Sequence, residues 1–257
     1  MSLIIDRSLW GRLAVSGSDR TRFLHALTTI NVESLGSGDH RWGAILNPKG
    51  RVLSVINIAN RGDALVVACE APVAEPTRAL LERHAVMDDV NFESIEGAAH
   101  QVWNSPMDVW AAPIVQSHGV TAIAETDPLV ERMRIRGGFL RYGIDVDPEH
   151  FPFETPLAAM LDYGKGCYVG QEPVFRVHAQ GNAAKTLRGF VVAGDAPLPP
   201  GSVIKHPAKA TAGAITSSVD AGDGTTLALG YVHRSAWEMV PVEIEGRAAT
   251  MHELPWQ

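Results

Sequence analysis

From residue 185 to the C-terminus the chain changes texture, and that change limits its architecture more than any other feature. Short runs rich in β-branched residues, at 187–192, 214–218, 227–232 and 240–244, alternate with Gly and Pro turns. Strands this short cannot bury a face alone, so the segment 185–257 is predicted to form a small antiparallel β-barrel or sandwich.

Upstream, strand and helix signals are mixed. Residues 12–16 read as a strand, and Ser18 or Asp19 is placed to cap a helix with Phe23, Leu24 and Leu27 near helical spacing. Residues 42–46 and 52–59 flank Asn47-Pro48-Lys49-Gly50, where Pro presets a turn dihedral and Gly closes it, so the two runs are predicted to pair as a hairpin. A strand over 64–69 follows, then a helix reaching His84 with Val73, Leu80 and Leu81 to one side, and strand-like pieces at 90–95 and 100–103. Asp127-Pro128 supplies an N-cap and a first-turn proline for a helix through Arg136, which Gly137-Gly138 stops. The expected fold class is α+β, with subdomains 1–104 and 105–184 and a β-rich unit 185–257.

The 257 residues are 46% hydrophobic and 20% charged, enough apolar surface for one large core or two, which removes disordered and low-complexity readings. The longest uncharged stretch, 109–124, holds Pro113, Gln116, His118 and Gly119 and is too short and polar to span a bilayer. The first residues carry Asp6, Arg7 and Arg12 without the apolar centre of a signal peptide, so a cytoplasmic protein with no membrane partner is expected. With 22 Lys and Arg against 29 Asp and Glu the net charge is -7, which disfavours stable nucleic-acid binding.

The densest chemical signal is Gly164-Lys165-Gly166-Cys167-Tyr168-Val169-Gly170-Gln171-Glu172, continuing through Arg176, His178 and Gly181. Glycines on both sides of one cysteine imply tight backbone, so Cys167 is expected on a constrained loop rather than in a regular element. Lys165 and Arg176 are cationic neighbours that would favour its thiolate, the reactive and metal-ligating form. A small buried structural thiol is the other reading. Cys69, ending a strand-like run, is expected in the core. The two cysteines have no CxxC spacing, and His25, His84, His100, His118 and His178 lack the i, i+4 pairing of a helical metal site, so no metal site is expected. No GxSxG elbow, Walker sequence or GxGxxG opening a helix appears, which leaves hydrolase, nucleotide-triphosphatase and dinucleotide readings without support. Asp145, Asp147 and Glu149 are expected as a solvated acidic turn.

The octet from Lys165 to Glu172 resembles the KGCYxGQE signature of the folate-binding YgfZ family of iron-sulfur cluster assembly and repair proteins, relatives of the glycine-cleavage T-protein. Further blocks resemble the family: Asp19-Arg20 with Phe23-Leu24-His25, the turn from Asn47 to Leu53, Arg141-Tyr142-Gly143-Ile144-Asp145, Lys185 with Leu187-Arg188-Gly189, and Leu229-Gly230-Tyr231-Val232. The resemblance runs nearly end to end. It implies a T-protein-like ring of α+β subdomains around a central folate pocket, followed by a C-terminal antiparallel β-barrel. It further implies a folate-binding accessory protein for iron-sulfur cluster assembly or repair, with tetrahydrofolate or a derivative as ligand and iron-sulfur client or assembly proteins as partners. Cys167, assisted by Lys165, is then the reactive group at the pocket rim, and Arg136, Tyr142, Tyr168, Gln171, Glu172 and Arg176 are the implied ligand contacts. Two positions depart from the T-protein pattern. The acidic pair that aminomethyltransferases carry in the strand after the glycine turn is Ser54 and Val55 here, and neither can act as a base. The pterin-binding glutamate of an Arg-x-Glu-Ala-Gly stretch is Arg136 here, which has donors and no acceptor. The first departure argues against the rival reading, a tetrahydrofolate-dependent aminomethyl- or methyltransferase. A non-catalytic ligand-binding scaffold is the third.

Overall fold

The chain opens with two short strands, β1 (Leu3–Asp6) and β2 (Gly11–Ser16), before helix α1 (Arg20–Leu27). The computed structural model describes residues 2–117, 119–181 and 183–257, so His118 lies outside the described residues. Asp19 stands at the N-cap of α1, but its carboxylate accepts the Asp89 amide at 2.8 Å instead of a helix amide, and the expected side-chain cap does not form. The expected hairpin pairs β3 (His40–Leu46) with β4 (Val52–Asn60), setting Trp42 opposite Asn57 and Ala44 opposite Val55. Its turn is closed by the Asn47 side-chain oxygen, which accepts the amides of Lys49 and Arg51 at 2.9 and 3.0 Å. After β5 (Leu65–Cys69), α2 (Ala71–His84) and β6 (Asn91–Ser94), the strands lie in the order β3-β4-β5-β2-β6.

Alternation along these strands gives the sheet two apolar faces. One carries Leu13, Val15, Ile45, Ile56 and Ile58 and packs with Phe23, Leu24 and Leu27 of α1. The other carries Trp42, Ala44, Val55 and Ala68 and joins a cluster with Trp103, Phe139, Tyr168, Leu187 and Leu229. That second cluster takes residues from all three expected units, so it forms the centre of the molecule. β7 (Ala99–Trp103) pairs with both β1 and β8 (Val115–Gln116), and the expected division after residue 104 falls in the connection between these two paired strands. Helix α3 (Pro128–Gly137) starts as its sequence requires: the Asp127 carboxylate accepts the Leu129 amide at 2.8 Å, and Gly138 ends the helix at φ +66°. A fourth helix, α4 (Gln171–Gln180), was not expected.

The last third is a closed antiparallel barrel of β9 (Lys185–Ala193), β10 (Val203–His206), β11 (Lys209–Asp220), β12 (Thr225–His233), β13 (Val242–Ile244) and β14 (Arg247–His252). Pairing of Ile204 with Ile244 closes it, and Phe190, Val192, Ile215, Val232 and Met251 fill its interior. Barrel and ring are joined by Asp145, which is fully buried rather than solvated as its sequence neighbourhood suggested. Its carboxylate pairs with Arg134 at 2.6 Å and accepts the Thr216 and Ser217 hydroxyls of β11, each at 2.6 Å. Asp147 keeps an exposed side chain and meets His150 at 2.7 Å. No helix among the described residues is long and apolar enough to cross a membrane.

Candidate functional site

The loop from Gly164 to Gly170 lies outside regular structure and is held at its start by Asp162. One carboxylate oxygen accepts the amides of Gly164 and Lys165 at 2.8 and 3.0 Å, and the other accepts the Asn31 side chain at 3.0 Å. The Lys165 side chain then turns inward. Its ammonium donates to the carbonyls of His25, Thr28 and Ile30 at 2.6, 2.6 and 2.7 Å, which uses all three protons on groups at and beyond the end of α1. Burial lowers its pKa to about 8. Tyr168 is also buried, with its ring 4.9 Å from the ammonium and its hydroxyl pushed up to about 12 by burial. The Tyr168 amide donates to the Gln171 side chain at 3.1 Å, and the Val169 amide to the Ala26 carbonyl at 3.2 Å. With anchors on both sides, Cys167 is left exposed as a free thiol.

The far end of the loop is fixed by close backbone approach. Gly170 has φ +81°, and a Cβ there would lie 2.4 Å from the Asn47 carbonyl oxygen. The hairpin turn therefore locks the start of α4, which explains why three separate sequence blocks, at residues 25–31, 47–51 and 162–171, meet at one loop.

A cavity of about 520 Å³ adjoins this loop. It is walled by Trp42 from β3, Trp110, and the segment 159–163 that leads into the loop, so Asp162 and Tyr163 line the cavity immediately before the loop begins. The two indoles meet edge to face at 5.5 Å and 83°. Trp42 donates to the Ala112 carbonyl at 3.2 Å, whereas the Trp110 indole nitrogen is buried without an acceptor among the described residues. Tyr163 stacks on His178 of α4 at 3.7 Å. A smaller cavity of about 200 Å³ on another part of the ring is bordered by Arg7, Glu70, Glu125, Arg141 and Tyr142. Burial raises the Glu70 pKa to about 7.

The residues named from sequence thus divide. Lys165, Cys167, Tyr168 and Gln171 are brought together by the loop, while Glu172 and Arg176 lie exposed on α4. Tyr142 belongs to the smaller cavity, where its amide donates to Glu70 at 2.8 Å. Arg136 faces the barrel: its charge acts on Asp223 and His252, and its carbonyl accepts the Trp256 amide at 3.0 Å. Ser54 is buried beside Cys69, and Val55 faces the central cluster with Trp42, so no carboxylate occupies either place. The Cys69 thiol is pushed up to about 11 by burial. Among the described residues no group of three His, Cys, Asp or Glu is placed to hold a metal. Sequence reasoning missed Trp42, Trp110 and His25. The His25 ring is buried, its Nδ1 has no hydrogen-bond partner among the described residues and faces the Glu33 carboxylate at 4.0 Å, and a Cβ on Gly166 would lie 3.5 Å from its Nε2. Its pKa is lowered by burial and by the Lys165 charge. Only its place in the block Phe23-Leu24-His25 signalled it.

No family model matches the chain. It is 23% identical to a putative chloroplastic transferase of Arabidopsis thaliana, across 91% of this chain and 66% of the relative. It is 22% identical to the tRNA-modifying protein YgfZ of Yersinia enterocolitica, across 72% of this chain and 69% of the relative. A mitochondrial iron-sulfur cluster assembly factor, the IBA57 homologue of Pyricularia oryzae, is 24% identical across 83% of this chain and 63% of the relative. The chain thus spans about two thirds of the length of these relatives. Among solved structures, the glycine cleavage system aminomethyltransferase T from Bartonella henselae superposes with a TM-score of 0.80 over 99% of this chain and 86% of that one, at 17% identity. The chain is therefore a homologue of the YgfZ and IBA57 proteins, built on the fold of the glycine-cleavage T protein.

Proposed function

We propose that this protein is an accessory factor in iron-sulfur cluster assembly or repair that binds a folate-type ligand in the indole-walled cavity and presents Cys167 at its rim. The observation that carries the reading is the exposed thiol on a loop anchored by Lys165 and Tyr168 and held at its start by Asp162, a residue of the cavity wall. The cavity suits a planar heteroaromatic ring: about 520 Å³ is within the usual range for small-molecule sites. Trp42 and Trp110 border it with aromatic surface, and His40, Arg41 and Asp162 border it with polar groups that could meet the edge of such a ring. Arg136, facing the barrel, is not part of this fit. One thiol cannot hold a cluster of the four-thiolate kind, so any cluster contact is transient or completed by a partner.

The names of the relatives point both to iron-sulfur assembly and to tRNA modification. A net charge of -7 favours a route to tRNA modification through a client enzyme over stable tRNA binding by this chain. Val55, which faces the central apolar core, supports an accessory role over amine transfer, which needs a carboxylate. The decisive experiment is a calorimetric titration of the native protein with tetrahydrofolate and its one-carbon derivatives, in parallel with iodoacetamide labelling at neutral pH. Saturable binding that Trp110→Ala abolishes, together with rapid labelling of Cys167, is the expected result. Absence of folate binding, or a thiol that stays unlabelled, rejects it.

A further inference from the structure

Three arginines are buried, Arg7, Arg12 and Arg134, at 4%, 7% and 3% exposure. Two have carboxylate partners: Arg7 meets Glu125 at 2.6 Å, and Arg134 meets Glu131 and Asp145 at 2.7 and 2.6 Å. Arg12 forms no ion pair among the described residues. Its Nη2 donates to the Gly97 carbonyl, while Nε and Nη1 are buried without any hydrogen-bond partner. A guanidinium does not give up its proton inside a protein, so Arg12 carries its charge on a side chain with little access to water. Glu96 acts on it only through space. A buried charge in this condition is strongly destabilising unless an anion meets it.

The surroundings provide room for that anion. Arg12 borders a groove of about 400 Å³ between the five-stranded sheet and β8. Val66, Ile95 and Ile114 give it apolar walls, the exposed Arg61 and Gln116 add donors, and Asp63 is the one carboxylate that borders it. The groove shares no residue with either the indole-walled cavity or the Glu70 cavity. We propose that it binds an organic oxyanion, a carboxylate or phosphate on a short apolar body, with Arg12 as the buried counter-charge and Arg61 and Gln116 as further donors. Arg12 and Arg61 set against Asp63 leave one positive charge in excess at the groove, which favours one compact anionic group.

Calorimetric titrations of the full chain with butyrate, butyl phosphate and neutral butyramide, in low-chloride buffer, test this and separate the two anion types. At least one anion is expected to bind and butyramide is not. Arg12→Met is expected to weaken the anion at least roughly tenfold, and Arg61→Gln several-fold. A second readout distinguishes a ligand-binding arginine from a structural one: without ligand, Arg12→Met is expected to melt at or above the wild type, because it keeps the apolar stem and removes an unpaired charge. Failure of both anions to bind, equal binding of butyramide, unchanged affinity in Arg12→Met, or a ligand-free melting point well below the wild type overturns the proposal. Arg61→Gln, whose side chain is exposed, is the independent check: an unchanged affinity overturns the proposal and a several-fold loss supports it.

Discussion

Lys165 and Cys167 are two positions apart and perform opposite tasks. The sequence suggests a cation beside the thiol; the structure shows the ammonium committed to three carbonyls, so any effect on the thiol acts through space and through loop placement. Lys165→Met should therefore act first on stability. Three buried acceptors lose a charged donor, at a cost of about 1–3 kcal/mol, readable as a lower denaturant midpoint with faster proteolysis of the loop. Cys167→Ser should do the reverse. The side chain is exposed, so the melting point is expected to stay within about 0.5 kcal/mol equivalent. Serine has no thiolate at neutral pH, so the variant is expected to fail to restore iron-sulfur enzyme activity in cells lacking the native protein. Full rescue by a well-folded serine variant would eliminate the thiol mechanism.

At the scale of elements, the hairpin turn and α4 depend on one contact. Gly170→Ala forces a Cβ to within 2.4 Å of the Asn47 carbonyl at a positive φ, so it is expected to cost on the order of 1–3 kcal/mol and to speed Cys167 alkylation by loosening the loop. Glu70, which precedes the first turn of α2, ties stability to pH. Its pKa rises from 4.5 to about 7, so the folded protein keeps a proton that the unfolded chain releases in that interval. Its contribution is present in full below pH 4.5 and is lost as pH rises through about 7. Relative to wild type, Glu70→Gln should gain stability from acid toward neutral pH. Denaturant midpoints at the two ends check this, and a constant difference would reject it. Elements with local signals were legible: Asp127-Pro128 announced α3, and Asn47 to Gly50 announced the hairpin. Those without were not. α4 lacks a side-chain cap and starts at a left-handed glycine that tertiary contact enforces, while β14 is rich in Ala, a weak strand former. Among the site residues the loop itself was legible, but Trp42 and Trp110 are ordinary apolar positions until the fold brings them together across residues 42 and 110.

For the molecule as a whole, the ring and barrel hold together through a polar bridge as well as an apolar seam. Asp145 lies in a turn after α3 and is an acceptor for Arg134, Thr216, Ser217 and the Arg141 amide, while its own carbonyl accepts the Tyr231 hydroxyl at 2.7 Å. A solvated acidic turn was the natural reading of Asp145-Val146-Asp147, because nothing local marks which carboxylate the barrel will cover. Burial of a charge is tolerable here only because every oxygen has donors. Asp145→Asn conserves shape, keeps one acceptor oxygen, and places an amide where β11 offers two hydroxyls and Arg134 a cation. Arg134 would retain Glu131, so the expected loss is about 3 kcal/mol rather than the full penalty of an isolated buried charge. Since Thr216 and Ser217 belong to the barrel and Arg134 to the ring, the loss should fall on the junction: calorimetry is expected to show the barrel separating as its own transition. A single transition at the wild-type midpoint would mean that the apolar seam of Leu187, Leu227, Leu229 and Trp256 suffices to couple the two halves.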